Sequence, residues 1–130
     1  MSMFSKTTNG IKINVETSFL PDKSNPDHNY YVYAYYVTIE NTIQDTVQLL
    51  SRHWIITDGM GNKREVKGEG VIGEQPILTY QEKHAYQSWS PLPTKIGKME
   101  GSYMMLNLKT NKKFEVQIPS FILVHHELEN

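Results

Sequence analysis

Residues 52–76 read RHWIITDGMGNKREVKGEGVIGEQP, and this stretch argues against a dinucleotide-binding fold although it contains that fold's glycine motif. The stretch contains a G-x-G-x-x-G motif formed by Gly68, Gly70 and Gly73. In a dinucleotide-binding fold this motif follows a buried strand and opens a helix whose N-terminus faces a pyrophosphate. Here the preceding residues are the polar KREVK, and Pro76 disfavours a helical conformation at the residue before it. The glycines are therefore predicted to serve β-structure.

On both sides of this stretch, from residue 11 to residue 123, apolar residues recur with a period of two, which is typical of β-strands. No amphipathic helix of substantial length can be placed. Strands are predicted at residues 11–20, 31–40, 47–58, 63–67, 77–80, 86–89, 99–108 and 113–118. Short strands at this spacing indicate an all-β fold, an antiparallel two-sheet β-sandwich of about seven strands.

Composition and charge narrow the possible partners. The chain has 130 residues, no cysteine and a formal net charge of -1, so no long-range field attracts nucleic acid or an anionic membrane. The first residues lack the apolar core of a signal peptide, and no apolar run could span a bilayer. We expect a cytoplasmic protein with a flexible segment at residues 1–10, one domain at 11–124 and a polar tail at 125–130.

Four blocks of the sequence resemble the ApaG family. The blocks are RHWIITDGMG at 52–61, VKGEGVIGEQP at 66–76, GKMEGSYMM at 97–105 and FEVQIPSFIL at 114–123. Their order and spacing match the family, and the resemblance runs from about residue 11 to residue 123. The chain departs from the family pattern at residues 87–90, where relatives carry smaller turns, so we expect Trp89 to shape a surface of its own.

The resemblance implies a fibronectin type III-like or immunoglobulin-like sandwich. Bacterial members of the family are linked to cobalt and magnesium handling and to a neighbouring diadenosine-tetraphosphate hydrolase, and eukaryotic versions recognise other proteins. What the resemblance implies for this chain is a non-catalytic module that binds another protein, with an association to cobalt resistance and magnesium efflux.

The glycine segment, residues 68–76, has two interpretations. Its glycines permit bulges or a close approach of two backbones. Alternatively, successive backbone N–H groups form a nest for phosphate, pyrophosphate or a nucleotide polyphosphate. Three cationic and three acidic residues cancel between residues 63 and 74, which disfavours a strong anion site. The candidate anion-binding residues, in the loop 63–73, are Arg64, Lys67, Gly68, Gly70 and Gly73.

The tyrosines of the second predicted strand also have two interpretations. Five of the eight tyrosines lie between residues 30 and 36. Aromatic rings suit a half-buried pleated surface, which favours a role in the core. If some of the rings are exposed, the candidate partner-binding residues are Tyr31, Tyr33, Tyr35 and Trp89. An unpaired edge strand would offer a partner, or a second copy in a homodimer, a place to bind.

No metal site, cofactor or catalytic group is predicted. The five histidines do not cluster, and the adjacent His125 and His126 would point to opposite faces of an extended segment. The serines lack a motif that would supply a neighbouring base, so we predict that the protein is not an enzyme. Arg52 and Trp54 share one face of the strand at 47–58, which we interpret as a packing pair.

Overall fold

The computed structural model describes residues 2–125, in which nine strands form two antiparallel sheets packed as a sandwich. The strands are β1 (Ser2–Thr8), β2 (Ile11–Phe19), β3 (Tyr31–Asn41), β4 (Val47–Asp58), β5 (Lys63–Glu69), β6 (Ile77–Leu78), β7 (Lys83–Leu92), β8 (Ile96–Asn107) and β9 (Lys112–Val124). The first sheet has the order β1-β2-β3-β7, and the second has β5-β4-β8-β9 with β6 beside β4. The prediction of an all-β, fibronectin type III-like sandwich is confirmed.

The helical content is two single 3₁₀ turns within residues 2–125. They lie at Pro21–Lys23 and Pro26–His28, in the connection between β2 and β3. Each begins at a proline, whose fixed φ suits the first position of a turn. No helix in residues 2–125 is long and apolar enough to cross a membrane.

Strand β1 differs from the flexible segment predicted at residues 1–10. Residues 2–8 pair with β2 in continuous register, and the two strands join through Asn9 and Gly10, with φ of 50° and 78°. Asn-Gly is the dipeptide that a two-residue hairpin turn with positive φ prefers. The strand was missed because it is polar, although the Phe4 ring lies 5.9 Å from that of Phe121.

The other end of the chain also differs in part from the prediction. β9 continues past Pro119, which lies opposite a bulge between Met99 and Gly101 in β8. His125 was predicted to begin a polar tail, but its ring stacks on Phe19 with a centroid distance of 4.5 Å. Residues 126–130 of the predicted tail lie outside the described residues.

The core lies between the inner faces of the two sheets. Tyr33 and Tyr35 of β3 are 0% and 7% exposed, so the interpretation of these rings as core residues holds for both. The Trp54 ring of β4 is 5.4 Å from Tyr35 and 5.9 Å from Phe121. Burial of a large apolar side chain contributes about 1.5–3 kcal/mol, so this aromatic cluster holds the sheets together.

The two lateral sides of the sandwich are closed in different ways. On one side β1 and β2 pack against β9, and the Gln117 backbone N–H donates to Thr8 Oγ1 at 3.2 Å. On the other side the edge strands β5 and β7 face each other, and the glycine segment lies at the same side. This second side positions the candidate site.

Candidate functional site

The glycine segment is a loop that leaves and rejoins one edge of a sheet. Both β5 and β6 pair with β4, through Ser51 opposite Glu69 and Gln48 opposite Ile77. At the base of the loop the Gly70 N–H donates to the Leu50 carbonyl at 2.9 Å. No helix follows the glycines, so the prediction that they serve β-structure agrees with the geometry.

A two-residue turn forms the tip of this loop. The backbone N–H groups of Val71 and Glu74 donate to each other's carbonyls at 2.8 and 3.0 Å. Between them, Ile72 and Gly73 have φ of 48° and 73°, the pattern of a type I′ turn. Val71 is 1% exposed and fills space between the sheets, whereas Ile72 is 62% exposed. The loop therefore inserts Val71 between the sheets and exposes the apolar Ile72 at its tip; it is called the plug below.

Close contacts account for two of the motif's glycines. A Cβ at Gly68 would lie 2.7 Å from Arg52 Nη1, so the guanidinium occupies the space of the missing side chain. A Cβ at Gly70, where φ is +65°, would lie 2.3 Å from the Glu74 carbonyl oxygen. The motif therefore shapes a loop and seats an arginine.

The side chain of Arg52 points between the sheets. Arg52 pairs with Gly68 and with the buried Tyr103, which places it on the inner face of β4. Its Nη1 donates to the carbonyl oxygens of Glu69 and Gly70, at 3.0 Å each. Arg52 thus holds the start of the plug in place. The interpretation of Arg52 and Trp54 as a packing pair did not include this contact of Arg52 with the loop backbone.

Arg64 bridges the two edge strands that face each other. Its Nη2 donates to Ser90 Oγ at 3.0 Å and to the Pro91 carbonyl at 3.1 Å, so it reaches from β5 to β7. Beside it lies a cleft of about 350 Å³ between β5, β7 and the glycine segment, called the β5–β7 cleft below. Its lining includes Tyr35, Arg52, Trp54, Ile56, Arg64, Val66, Ile72, Tyr86 and Ser88.

The charge of the cleft is positive. Within residues 2–125, neither Arg52 nor Arg64 forms an ion pair with a carboxylate; the four ion pairs lie elsewhere. Glu69 borders the cleft, but strand alternation puts its side chain with Ser51 on the outer face. The polar side chains that face the interior are therefore two guanidiniums and several hydroxyls.

The tyrosine hydroxyls of the cleft are protonated at neutral pH. Burial raises the pKa of Tyr35, against smaller lowering effects of Ser88, Arg52 and Arg64. Burial also raises the pKa of Tyr86, whose hydroxyl forms a hydrogen bond with Tyr103 across the two sheets. Both arginines line the same cleft as Tyr35.

The structure separates the predicted anion-binding residues. Arg64, Gly68, Gly70 and Gly73 lie at the cleft or in its plug. Lys67 pairs with His53, and both belong to the outer face of the sheet, where His53 Nε2 lies 2.7 Å from Glu65 Oε1. Lys67 and Arg64 therefore lie on opposite faces of β5, because side chains alternate between the two faces of a strand.

The predicted aromatic partner patch does not form. Tyr33 and Tyr35 point into the core, and Tyr31 packs against the core as a partly buried residue. Trp89 is 57% exposed on the opposite face of the first sheet, where it pairs with Ala34. Lys23 Nζ lies 4.4 Å from the centre of its ring. Trp89 is therefore exposed, on the face of the sheet opposite to Tyr33 and Tyr35.

Sequence reasoning missed Arg52 as the centre of a site. The signal was present, because an arginine stands at a position of β4 that alternation assigns to the core. Ser88 and Ser90 of β7 were also missed, since nothing in the sequence places that strand opposite β5. Among residues 2–125, no three His, Asp or Glu side chains come close enough to hold a metal ion.

Comparison with known proteins gives a consistent result. The sequence model of the ApaG domain matches residues 21–107. A Protein ApaG from Parvibaculum lavamentivorans is 50% identical over 121 residues, which cover 93% of this chain and 92% of that protein. A Protein ApaG from Pseudomonas paraeruginosa is 46% identical and covers 92% and 94%.

Solved structures agree. A crystal structure from Bordetella pertussis that carries the name ApaA has a TM-score of 0.85 at 43% identity, covering 88% of this chain and 92% of that one. The C-terminal domain of wzt has a TM-score of 0.52 at 11% identity, which shows a shared fold alone.

Proposed function

This chain belongs to the ApaG family, and from that premise we propose that it is a non-catalytic module that binds another protein through the β5–β7 cleft. The cleft itself is the observation that carries the proposal. It is a groove of about 350 Å³ whose lining combines buried apolar side chains with hydrogen-bonded polar groups, among them Arg52, Arg64 and Ser90. Recognition sites commonly combine these features.

The composition of the cleft supports the non-catalytic part of the proposal. The polar side chains that face its interior are those of arginine, serine and tyrosine, since Glu69 at its border points to the outer face. His53 pairs with Glu65 on the outer face, and His84 Nε2 lies 3.5 Å from Glu74 Oε2. A hydroxyl nucleophile needs an adjacent base, and neither His53 nor His84 is among the residues that line the cleft.

We extend the proposal to the cellular role. The protein acts in the cytoplasm, and its part in cobalt and magnesium homeostasis runs through the bound partner, not through a metal held by this chain. The scarcity of converging ligands in residues 2–125 favours an indirect link.

Site-directed photo-crosslinking tests the proposed surface. The chain has no cysteine, so Ile72→Cys provides one attachment point for a thiol-reactive photo-crosslinker at the mouth of the cleft. Met3→Cys is the matched control, since Met3 is 68% exposed on β1, at the other edge of the first sheet. We expect a cellular protein to be captured from position 72 only, and excess unlabelled wild-type domain to suppress that capture. Equal capture from both positions, or none, refutes the proposed surface.

A phosphate or pyrophosphate ligand is the second candidate, favoured by the two guanidiniums that line the cleft beside the glycine segment. A thermal-shift screen with pyrophosphate, a dinucleoside polyphosphate, Mg²⁺ and Co²⁺ tests it. A ligand at 100 times its dissociation constant stabilises the fold by about 2.7 kcal/mol. A shift with pyrophosphate that Arg64→Gln removes supports this candidate, and a flat screen eliminates it.

A homodimer through an edge strand remains a prediction. The edge strand β5, KREVKGE, is rich in charge, and β7 contains Pro91, and both features oppose pairing between edges. Strand β1, SMFSKTT, carries a single charge and is the better candidate. Analytical sedimentation of the wild-type protein and of Ser5→Pro tests this arrangement. If β1 forms the interface, the wild type should sediment as a dimer and Ser5→Pro as a monomer.

A further inference from the structure

The two arginines of the β5–β7 cleft are held in place before any ligand arrives. Arg52 uses Nη1 to bind two loop carbonyls, and Arg64 uses Nη2 to bind Ser90 and Pro91. Within residues 2–125, Arg52 Nη2 and Nε and Arg64 Nη1 and Nε make no hydrogen bond. Each guanidinium therefore offers donors whose orientation is already fixed, which lowers the entropy lost on binding.

The charge of the two arginines indicates that these free donors would bind an anionic group. Arg52 is half-buried, and a cation removed from water without a counter-charge is costly. Within the described residues the carbonyl oxygens compensate it only in part, because they carry partial charges. A carboxylate between the two guanidiniums would form charge-assisted hydrogen bonds with both.

Apolar surroundings indicate that the carboxylate belongs to a larger ligand. Trp54, Ile56 and Val66 line the cleft, and Ile72 stands at its mouth. Trp54 and Ile56 are already buried, at 3% and 6% exposed, but Ile72 is 62% exposed, and a free phosphate would leave that side chain uncovered. The cleft lies between two edge strands, and peptides that bind at sheet edges commonly do so as extended segments, which favours an extended ligand.

The backbone of Ile72 gives an independent indication. A β-branched residue at φ of 48° is a conformational outlier, since type I′ turns favour Asn, Asp or Gly. The strain is of the order of 1–2 kcal/mol, and the exposed isoleucine also leaves apolar surface in water. Strain of this kind clusters at ligand-binding positions. Ile72 is thus suited to contact a ligand.

We propose that the β5–β7 cleft binds an extended acidic peptide segment, with one Asp or Glu carboxylate between Arg52 and Arg64 and a neighbouring apolar side chain on Ile72. The inference rests on the proposed function and names the chemistry of the partner. It predicts a recognition element of alternating acidic and apolar residues.

Selection from random dodecapeptides displayed on phage tests the proposal with full-length protein. Enriched peptides are synthesised, and their affinity is measured by fluorescence anisotropy for the wild type, Arg64→Gln and Lys67→Gln. The two variants remove the same charge from the same strand, but Lys67 lies on the outer face. We expect acidic peptides that bind Arg64→Gln at least about fivefold more weakly and Lys67→Gln almost as tightly as wild type.

Two further measurements keep the test independent of variant folding. Changing the peptide's Glu to Gln should weaken binding to unaltered protein by about tenfold. Ile72→Asn should raise the melting temperature, because Asn suits the turn, and still weaken peptide binding.

The outcomes separate the two proposals. Peptides that shift the backbone amides of the glycine segment but carry no acidic residue overturn the acidic specificity and leave the binding module intact. Equal loss of affinity in Arg64→Gln and Lys67→Gln also overturns it. If no peptide is enriched, or if the enriched peptides shift amides on another face, the cleft as a peptide-binding surface is refuted along with the inference.

Discussion

Replacing Gly70 by alanine should destabilise the fold far more than replacing Gly73. At Gly70 the left-handed backbone costs an alanine about 1–2 kcal/mol, and the new Cβ would lie 2.3 Å from the Glu74 carbonyl oxygen. Because that atom belongs to the backbone, relief requires the loop to shift, at about 1–3 kcal/mol. Reduced freedom of the unfolded chain returns about 0.4–1 kcal/mol. The net loss in unfolding free energy is about 3 kcal/mol.

Gly73 and Gly61 are the matched controls. Their φ values are +73° and +87°, and a Cβ at either position meets nothing within 4 Å. Each alanine variant should therefore lose about 1 kcal/mol, from backbone strain alone. Urea unfolding followed by tryptophan fluorescence measures the three losses, since Trp54 is buried. Losses at Gly70 and Gly73 that agree within about 0.5 kcal/mol would refute the close approach as the reason for glycine at position 70.

Three further predictions concern the tyrosines and one unpaired hydroxyl. Tyr86→Phe and Tyr103→Phe should each reduce the unfolding free energy by about 1–2 kcal/mol, because either single change leaves a buried hydroxyl without its hydrogen-bond partner. The double variant should lose clearly less than the sum of the two single losses. Additive losses in this double-mutant cycle would show that the two hydroxyls are not coupled. Burial raises the pKa of Tyr33 from 10.0 to about 12, so its neutral form contributes stability that is complete below pH 10 and is lost as the pH rises through 12. In an alkaline titration followed by tyrosinate absorbance, the buried tyrosines should ionise together with unfolding; these are Tyr33, Tyr35, Tyr86 and Tyr103. Ionisation of all eight tyrosines while the circular dichroism spectrum stays native would contradict this expectation. Thr57→Val should be neutral or stabilise by up to about 1 kcal/mol, since Thr57 Oγ1 is buried and has no hydrogen-bond partner in the described residues; a clear loss in urea unfolding would indicate a hydrogen bond there.

Local patterns in the chain were sufficient for the fold class. The period of two in residues 31–40 predicted a strand, and β3 occupies Tyr31–Asn41. The polar residues before Gly68 and the proline after Gly73 excluded a nucleotide-binding helix. These inferences succeeded because a period of two and the steric rules for proline depend on neighbouring residues alone. The same kind of local signal, Asn9-Gly10, would have located β1 as well.

The site depended on contacts between residues far apart in the chain. Alternation placed Arg52 on an inner face, but only the packed sheets show that it meets Gly68 and faces the same cleft as Arg64 and Ser88. The separation of Lys67 from Arg64, and of Trp89 from Tyr33 and Tyr35, likewise needed the strands in their sheets. Local sequence encodes the strand period and its turns, whereas a cleft between β5 and β7 exists only once two sheets pack, because its walls come from segments that pair with different partners.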